Sequence, residues 1–246
     1  MLATAVRPAE LLPAGHPCLG CIVRPLAVCS VLDCDDLAAM RQLGWTLHLR
    51  PGQPLFHEGD PATRVFTLTS GALKLYKLLP DGRRQVTGFM LPGDFLGIAV
   101  DDEHAFTVEA LTESQLCWFP RKRFGEFVET HTELERGLYR LAAHELAAAQ
   151  AQMVLLGRKT AEERVASFFL ALLERAERAS GREERMVDLP MSRLDIADYL
   201  GLTKETVSRV LALLRNKQAI RLAALTRVEI IDREAVKAIA AGMTDK

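Results

Sequence analysis

Hydrophobic and polar positions follow different patterns in different parts of the 246-residue chain. Between residues 45 and 120, short apolar runs are separated by Gly, Pro and Asp, as in PGQPLFHEGD and MLPGDFLG. Leu73 and Leu75 flank Lys74 with the alternation of a half-buried strand, and the Asp-Gly pair at residues 81–82 is a hairpin signal. Many short strands with regular turns predict a jelly-roll-like β-barrel.

The next region has a helical pattern. Residues 133–178 contain no proline and two glycines, and they are rich in Ala, Leu, Glu and Arg. This composition predicts a long helix, a break near Gly157 and a second helix. Seven residues of the long helix lie at coiled-coil spacing and form one stripe: Leu134, Leu138, Leu141, Glu145, Ala148, Gln152 and Leu155. Such a stripe is typical of a helix packed on its own barrel or of a dimer seam, and the two polar interruptions favour the seam of a homodimer.

The segment MSRLDIADYLGLTKETVSRVLALLRNKQAI predicts two helices joined by a tight turn. Ser192 and Asp195 have the spacing of a capping box, Gly201 ends the first helix, and Thr203 can cap the second. Apolar residues at helical spacing predict the buried faces of the two helices: Ile196, Ala197, Leu200, Val207, Val210, Leu211 and Leu214. The short apolar runs that follow predict the two strands of a wing, at residues 220–222 and 228–231. Together these elements predict a winged helix-turn-helix.

Polar residues occupy the start of the second helix, where a recognition helix meets base edges in the major groove. The candidate DNA-binding residues are Thr203, Lys204, Glu205, Ser208 and Arg209. Arg209 can donate two hydrogen bonds to guanine, and Glu205 can accept one from cytosine. Between residues 203 and 228 the local net charge is +5, although the whole chain carries −1. This charge favours double-stranded DNA as a partner over the alternative of a helical hairpin with a merely solvated face.

The five cysteines are unevenly distributed. Cys18, Cys21, Cys29 and Cys34 lie close together near the N-terminus, and Cys117 is remote from them. No apolar run is long enough to span a bilayer, and the segment MLATAVRPAELLPAGHP lacks the features of a signal peptide, so a cytoplasmic protein without membrane association is expected. Thiols in a reducing compartment rarely form structural disulfides, which makes metal or cluster ligation the leading interpretation.

These patterns predict an α+β fold, and they do not indicate an enzyme. The chain contains no evident paired carboxylates, Ser/His/Asp set or phosphate-binding glycine loop. Four regions are predicted: an N-terminal cysteine-containing arm (1–44), a β-roll sensory domain (45–120), a dimerisation helix (121–158) and a winged helix-turn-helix DNA-binding domain (159–246).

In this arrangement, and in the segments GRKTAEERVASFFLALL and DYLGLTKETVSR, the chain resembles the CRP/FNR family of bacterial transcription regulators. The resemblance implies a β-roll like that of cyclic-nucleotide-binding proteins and a homodimer on an inverted repeat related to TTGAT-N4-ATCAA. It also implies contact between the 81–82 hairpin and RNA polymerase. Cyclic-nucleotide binders of the family carry a Gly-Glu pair and a later Arg-Ser pair. Here Ile98 follows Gly97, and no Lys or Arg occurs between Gln85 and Pro120, so no cyclic nucleotide is expected to bind.

The resemblance also implies a role for the cysteines. Within the FNR-type branch, Cys18, Cys21, Cys29 and Cys117 look like the four ligands of a [4Fe–4S] cluster. The C-x2-C-x7-C spacing departs from the shorter gap of the best-known enteric form and is similar to that of another oxygen-responsive branch. The resulting hypothesis is an oxygen-responsive activator of anaerobic or microaerobic genes. Structural zinc, a thiol redox switch, a small-molecule effector in the β-roll, and Cys34 in place of Cys29 remain alternatives.

Overall fold

The computed structural model describes residues 18, 20–97 and 102–243. The N-terminal segment MLATAVRPAELLPAGHP lies outside these residues, and so does Ile98, the residue that follows Gly97. The chain forms two compact units: Met1–Leu75 with Phe89–His144, and Tyr76–Gly88 with Glu145–Lys246. No helix in the described residues combines the length and apolar character needed to cross a membrane.

Two four-stranded sheets form the predicted jelly-roll-like fold. One sheet has the strand order β1 (Trp45–Leu49), β8 (Ser114–Pro120), β3 (Arg64–Ser70) and β6 (Phe95–Leu96). The other has the order β2 (Pro54–Phe56), β7 (Thr107–Ala110), β4 (Leu73–Leu78) and β5 (Arg84–Met90). Strand β8 pairs antiparallel with β1 and with β3, so that Leu116 lies opposite Leu47 and Leu68. Leu116 and Leu68 are fully buried in the core of the roll.

The first sheet carries a second core on its other face. Helix α1 (Cys34–Gln42), helix α2 (Arg121–Glu129) and the first turns of helix α3 (Thr132–Arg158) contribute to this core. Successive side chains of a strand point to opposite faces. Leu116 therefore belongs to the core of the roll, while the partly buried Cys117 packs against the second core. The alternation along β8 thus positions Cys117 against the helices and the N-terminal arm.

Strand β4 has the predicted alternation, with Leu73 in the core of the roll and Leu75 packed against it, but its other face is buried at Lys74. Lys74, expected on the solvent face between Leu73 and Leu75, is 6% exposed. Its ammonium group lies 2.9 Å from a carboxylate oxygen of Glu109 on β7. A buried charge is tolerated when an opposite charge lies within hydrogen-bonding distance, and this pair explains why a lysine occupies a buried strand position.

Helix α3 exposes a different stripe from the predicted one. Leu134 and Leu155, at the two ends of the predicted seam, are buried, and the Gln152 side chain donates to the Tyr199 carbonyl at 2.9 Å. The large exposed apolar side chains at heptad spacing lie one residue further along: Tyr139 (78% exposed), Leu146 (62%) and Met153 (71%). Ala142 and Ala149 are exposed between them. The exposed apolar stripe therefore lies one position from the predicted one, whose two end residues are buried within the same chain.

The second unit contains the predicted winged helix-turn-helix. Helix α4 (Ala161–Ser180) is followed by β9 (Met186–Asp188), α5 (Arg193–Leu200), α6 (Lys204–Asn216), β10 (Ile220–Ala224), β11 (Arg227–Ile230) and α7 (Arg233–Ala240). Strands β10 and β11 are the two predicted wing strands, and β9 pairs antiparallel with β11 to complete a three-stranded sheet. Strand β9 and helix α7 were not predicted from the sequence.

Candidate DNA-recognition helix and cysteine site

Local hydrogen bonds define the ends of helices α5 and α6. The Ser192 hydroxyl accepts from the backbone N–H of Asp195 at 3.1 Å, and the Asp195 carboxylate accepts from the backbone N–H of Ser192 at 3.0 Å. Gly201 ends α5 with a φ of 62°, a left-handed conformation that glycine adopts without strain. The Thr203 hydroxyl accepts from the backbone N–H of Thr206 at 3.1 Å and caps α6. The predicted capping box, turn and second cap are all present.

The buried faces of α5 and α6 are also as predicted. Every apolar residue expected to face inward is buried: Ile196, Ala197, Leu200, Val207, Val210, Leu211 and Leu214. Because these residues hold one side of each helix, the polar residues at the start of α6 are left exposed on the other side. The exposed set comprises the five candidate DNA-binding residues Thr203, Lys204, Glu205, Ser208 and Arg209.

Two of these exposed residues have the charge that base recognition requires. The pKa of Glu205 is held below its ordinary value by the residue's own backbone N–H and by the Thr203 hydroxyl, so the side chain remains an anionic acceptor. The Arg209 guanidinium donates to the Thr206 hydroxyl at 3.2 Å, which holds it along the helix surface. A carboxylate acceptor and a guanidinium donor one turn apart match the chemistry of cytosine and guanine edges.

Helix α5 is supported by a partner that its own sequence does not indicate. Within the second unit, the Arg84 guanidinium lies 2.8 Å from Asp195 and 2.7 Å from Asp198. The neighbouring Gln85 side chain donates to the Asp198 carbonyl at 2.7 Å. Asp195 is 5% exposed, and a buried carboxylate needs a cation or several donors. That requirement is the only sequence-level signal for this contact, since Arg84 and Asp195 are 111 positions apart.

The cysteine site lies in the first unit and combines the arm with β8. Cys29 is in a short 3₁₀ turn, Val28–Val31, and Cys117 is opposite Thr46 in the β1–β8 ladder. The Cys29 thiol interacts electrostatically with the thiols of Cys21, Cys18 and Cys117. The structure therefore brings the four cysteines implied by the family resemblance into one neighbourhood.

Burial and mutual repulsion raise the pKa of three of these thiols, Cys18, Cys29 and Cys117. Burial, followed by the neighbouring Cys117 and Cys21, raises the pKa of Cys18 to about 11. Burial, followed by the other three cysteines, raises the pKa of Cys29 to about 12. Burial also raises the pKa of Cys117, and the positive charge of Arg41 opposes this increase. A nearby cation that shares the charge would favour the thiolate form of these three side chains.

The donor set fits a thiolate-ligated metal centre by its chemistry. All five cysteines are free thiols, and four partly buried sulfurs suit zinc or an iron–sulfur cluster. In the positions described, no group of three or more His, Cys, Asp or Glu side chains has the arrangement required to hold a metal ion. Binding would therefore require the thiols to move closer together than they are here.

Cys34 has a different environment from the other four cysteines. It is the first residue of α1, it is 8% exposed, and it packs in the second core with Leu37 and Met40. This placement favours Cys29 over Cys34 as the third member of the set.

Two family models match this chain, one over the β-roll and one over the helix-turn-helix. Residues 46–131 match the family model of the cyclic nucleotide-binding domain, and residues 163–239 match that of the Crp-like helix-turn-helix domain. The nitrogen fixation regulation protein FixK of Bradyrhizobium diazoefficiens is 44% identical over 229 residues, which cover 93% of this chain and 96% of that protein. The chain belongs to the CRP/FNR family of transcription regulators.

Two further relatives support this family assignment. The transcriptional activator protein anr of Pseudomonas aeruginosa is 37% identical over 239 residues, covering 95% of this chain and 96% of the relative. The solved structure of FixK2 from Bradyrhizobium japonicum has a TM-score of 0.74 at 35% identity, and it covers 80% of this chain and 96% of that one. The two relatives are named as a regulation protein and a transcriptional activator, and the family is one of transcription regulators, so the expectation of a non-enzyme is confirmed.

The comparisons do not identify an effector. The match to the cyclic nucleotide-binding domain concerns the roll, and the FixK and anr names mention no ligand. Lys74, which is buried on the face of β4 opposite Leu73 and Leu75, already forms an ion pair with Glu109. The expected absence of a bound cyclic nucleotide stays a prediction.

Proposed function

We propose that this protein is a cytoplasmic, oxygen-responsive transcription regulator of anaerobic or microaerobic genes. It would act as a homodimer on an inverted repeat related to TTGAT-N4-ATCAA. Cys18, Cys21, Cys29 and Cys117 would hold a [4Fe–4S] cluster, which when bound supplies the sensitivity to oxygen. The chain's own residues provide the ligands, the dimer helix and the recognition helix.

The observation that carries this proposal is the shared packing of the cysteines and the start of α3. Cys18, Cys29 and Cys117 lie in or against the same core as Leu134 and Leu138. Drawing four sulfurs together around a metal would repack this core, because close-packed interiors do not absorb such shifts without movement of their neighbours. The first turns of α3 would respond, so ligation at the cysteines could bias the conformation of the dimer helix.

Dimerisation would use the exposed stripe of α3. Tyr139, Leu146 and Met153 repeat every seven residues, and small alanines lie between them. Exposed apolar side chains at heptad spacing are stabilised when a second helix covers them. A two-fold dimer would present two α6 helices to successive major grooves, which is the geometry that an inverted repeat requires.

At each half-site, α6 would enter the major groove. Arg209 would read guanine, Glu205 would accept from cytosine, and Thr203, Lys204 and Ser208 would complete the contacts. The exposed tip of the β4–β5 hairpin, at residues 81–82, would contact RNA polymerase as the family resemblance implies.

Purification under strict exclusion of air tests the sensory part of the proposal. The expected protein contains iron and acid-labile sulfide, sediments as a dimer and binds the inverted repeat more tightly than an aerated sample does. Colourless protein with stoichiometric zinc would instead identify a structural metal. Protein with neither metal, whose DNA affinity follows the oxidation of its thiols, would identify a thiol switch. Equal pairing and equal DNA affinity with and without air would contradict an oxygen response.

A further inference from the structure

Arg41 is anchored beside the cysteine site. It lies in the last turn of α1, and its Nη2 donates to the Thr46 hydroxyl at 2.9 Å. Thr46 on β1 is directly opposite Cys117 on β8. Directly opposite residues of an antiparallel pair place their side chains on the same face, with Cβ atoms about 4.5–5.5 Å apart. The hydrogen bond to Thr46 therefore holds the guanidinium next to the position of Cys117.

The other terminal nitrogen of this guanidinium, Nη1, has no hydrogen-bond acceptor among the described residues. Arg41 Nη1 is buried and has no hydrogen-bond partner within the part of the chain that is described. The Thr46 hydroxyl is neutral and does not balance the charge. A buried cationic donor without a partner is costly, and such groups in native structures call for an explanation. An anionic acceptor bound at the neighbouring site would provide one.

The positive charge of Arg41 acts on sulfurs from both parts of the site. It opposes the effect of burial on the pKa of Cys117, in β8, and on that of Cys18, in the N-terminal arm. Arg24 also acts on Cys18, but the Arg24 guanidinium already donates to the Leu32 carbonyl at 3.4 Å. Arg41 thus has three relevant features: it is anchored by Thr46, its buried Nη1 has no partner among the residues that the structure describes, and its charge acts on two of the cysteines.

We propose that Arg41 is a positioning residue of the metal centre: its Nη1 donates to a sulfur of the centre, and its charge offsets that of the four thiolates. Four thiolates carry more negative charge than a zinc ion or a [4Fe–4S] core carries positive charge, so a net anion results. Hydrogen bonds from surrounding groups orient the ligands and tune such centres. The identity of the metal rests on the proposed function, whereas the role of Arg41 applies to any cation held by these four thiolates.

Zinc is a probe of this role that does not depend on the cluster. The affinity of the reduced, metal-free full-length chain for Zn²⁺ is measured by competition with a chromophoric chelator. Arg41→Met keeps the bulk of the side chain but removes the charge and the donors, and it is expected to weaken Zn²⁺ binding about 10–100-fold. Arg41→Lys retains the charge without the planar fork and is expected to fall between the wild type and Arg41→Met. Arg50→Met, an exposed site in the same unit, is the matched control and is expected to bind as the wild type does.

A second measurement separates this inference from the proposed function. Iron and acid-labile sulfide are quantified in the same variants after anaerobic purification. A wild type that binds zinc but takes up no iron or sulfide refutes the cluster and leaves the test of Arg41 intact. Arg41→Met with unchanged zinc affinity and unchanged metal content overturns the role of Arg41. A wild type that binds neither zinc nor iron overturns both.

Thr46→Val provides a second test of the inference in case Arg41→Met does not fold. This variant leaves Arg41 in place but removes the hydroxyl that anchors it, and it is expected to weaken Zn²⁺ binding several-fold. Thermal unfolding of the metal-free proteins shows which variants retain the wild-type fold. If Arg41→Met does not fold, wild-type zinc affinity in both Arg41→Lys and Thr46→Val refutes the inference.

Discussion

The helix-turn-helix and the cysteine site differ in how fully the chain satisfies its own polar groups. Around α5 and α6, Ser192 and Asp195 cap one another, Thr203 caps the next helix, and Arg84 pairs with Asp195. In the cysteine site, burial and mutual repulsion disfavour the thiolates, and Arg41 Nη1 is buried without a partner in the described part of the chain.

One similar atom occurs in the second unit, and it clarifies the difference. Arg233 Nε is also buried without a hydrogen bond among the described residues. The same guanidinium, however, donates through its two other nitrogens to both carboxylate oxygens of Glu177, at 2.7 and 3.0 Å. Its charge is therefore balanced. The comparison indicates that the buried charges around the DNA-recognition helices are balanced within the chain. The charges of the cysteine site would be balanced by a bound metal centre.

The largest effect is expected from Cys117→Ala. Removing the one proposed ligand outside the arm should abolish stoichiometric metal binding and leave the protein monomeric with weak DNA binding, since the arm would no longer be tied to β8. Metal analysis and sedimentation measure the outcome. Cys34→Ala is the matched control: it deletes a buried thiol from the same core and should retain the metal. Full metal content in Cys117→Ala would assign the fourth ligand elsewhere.

The next largest effect is expected from Leu146→Glu. Glutamate preserves helix propensity but places two like charges at the centre of the proposed seam, so the dimer should dissociate and the affinity for the inverted repeat should fall. Ala148→Glu introduces the same charge on the stripe predicted from the sequence and should leave the dimer intact. Sedimentation of both variants shows which stripe forms the dimer interface. Dissociation of Ala148→Glu alone would assign the interface to the stripe predicted from the sequence.

A smaller effect, on specificity, is expected from Arg209→Ala. Loss of a bidentate contact to guanine should cost about 1–3 kcal/mol of discrimination at one base pair while non-specific binding persists. Arg215→Ala, at the exposed end of α6, should weaken all sequences alike and reduce the dependence of binding on salt. DNA titrations with the consensus and a substituted half-site measure both. Equal losses on both sequences for Arg209→Ala would make Arg209 a phosphate contact.

The smallest effect is expected from Ser192→Ala. Loss of an N-cap should lower the free energy of unfolding by about 1 kcal/mol without changing the sequence preference, because Ser192 is part of the completed framework. Thr203→Ala removes a cap and also a candidate DNA contact, so it should lower both stability and DNA affinity. Chemical denaturation paired with DNA titration separates the two. An altered sequence preference in Ser192→Ala would show that α5 influences base recognition.

Features that depend on neighbouring residues could be predicted from the sequence. The capping box at Ser192, the turn at Gly201, the hairpin at residues 81–82 and the buried faces of α5 and α6 all follow from signals within a few positions of one another. Capping, turn geometry and helical periodicity act over that range. They were sufficient to predict the helix-turn-helix and the strand-rich character of the N-terminal half.

Only the tertiary structure decided which distant residues meet. The convergence of Cys117 with the arm, the burial of Lys74 against Glu109, the pairing of Arg84 with Asp195 and the anchoring of Arg41 by Thr46 all depend on packing and strand register. The exposed face of α3 was also decided by packing. Helical periodicity predicts that apolar residues form a stripe, but packing against the core determines which stripe remains exposed. Local chemistry thus determined the elements of this protein, and long-range packing determined how its charges and sulfurs are combined.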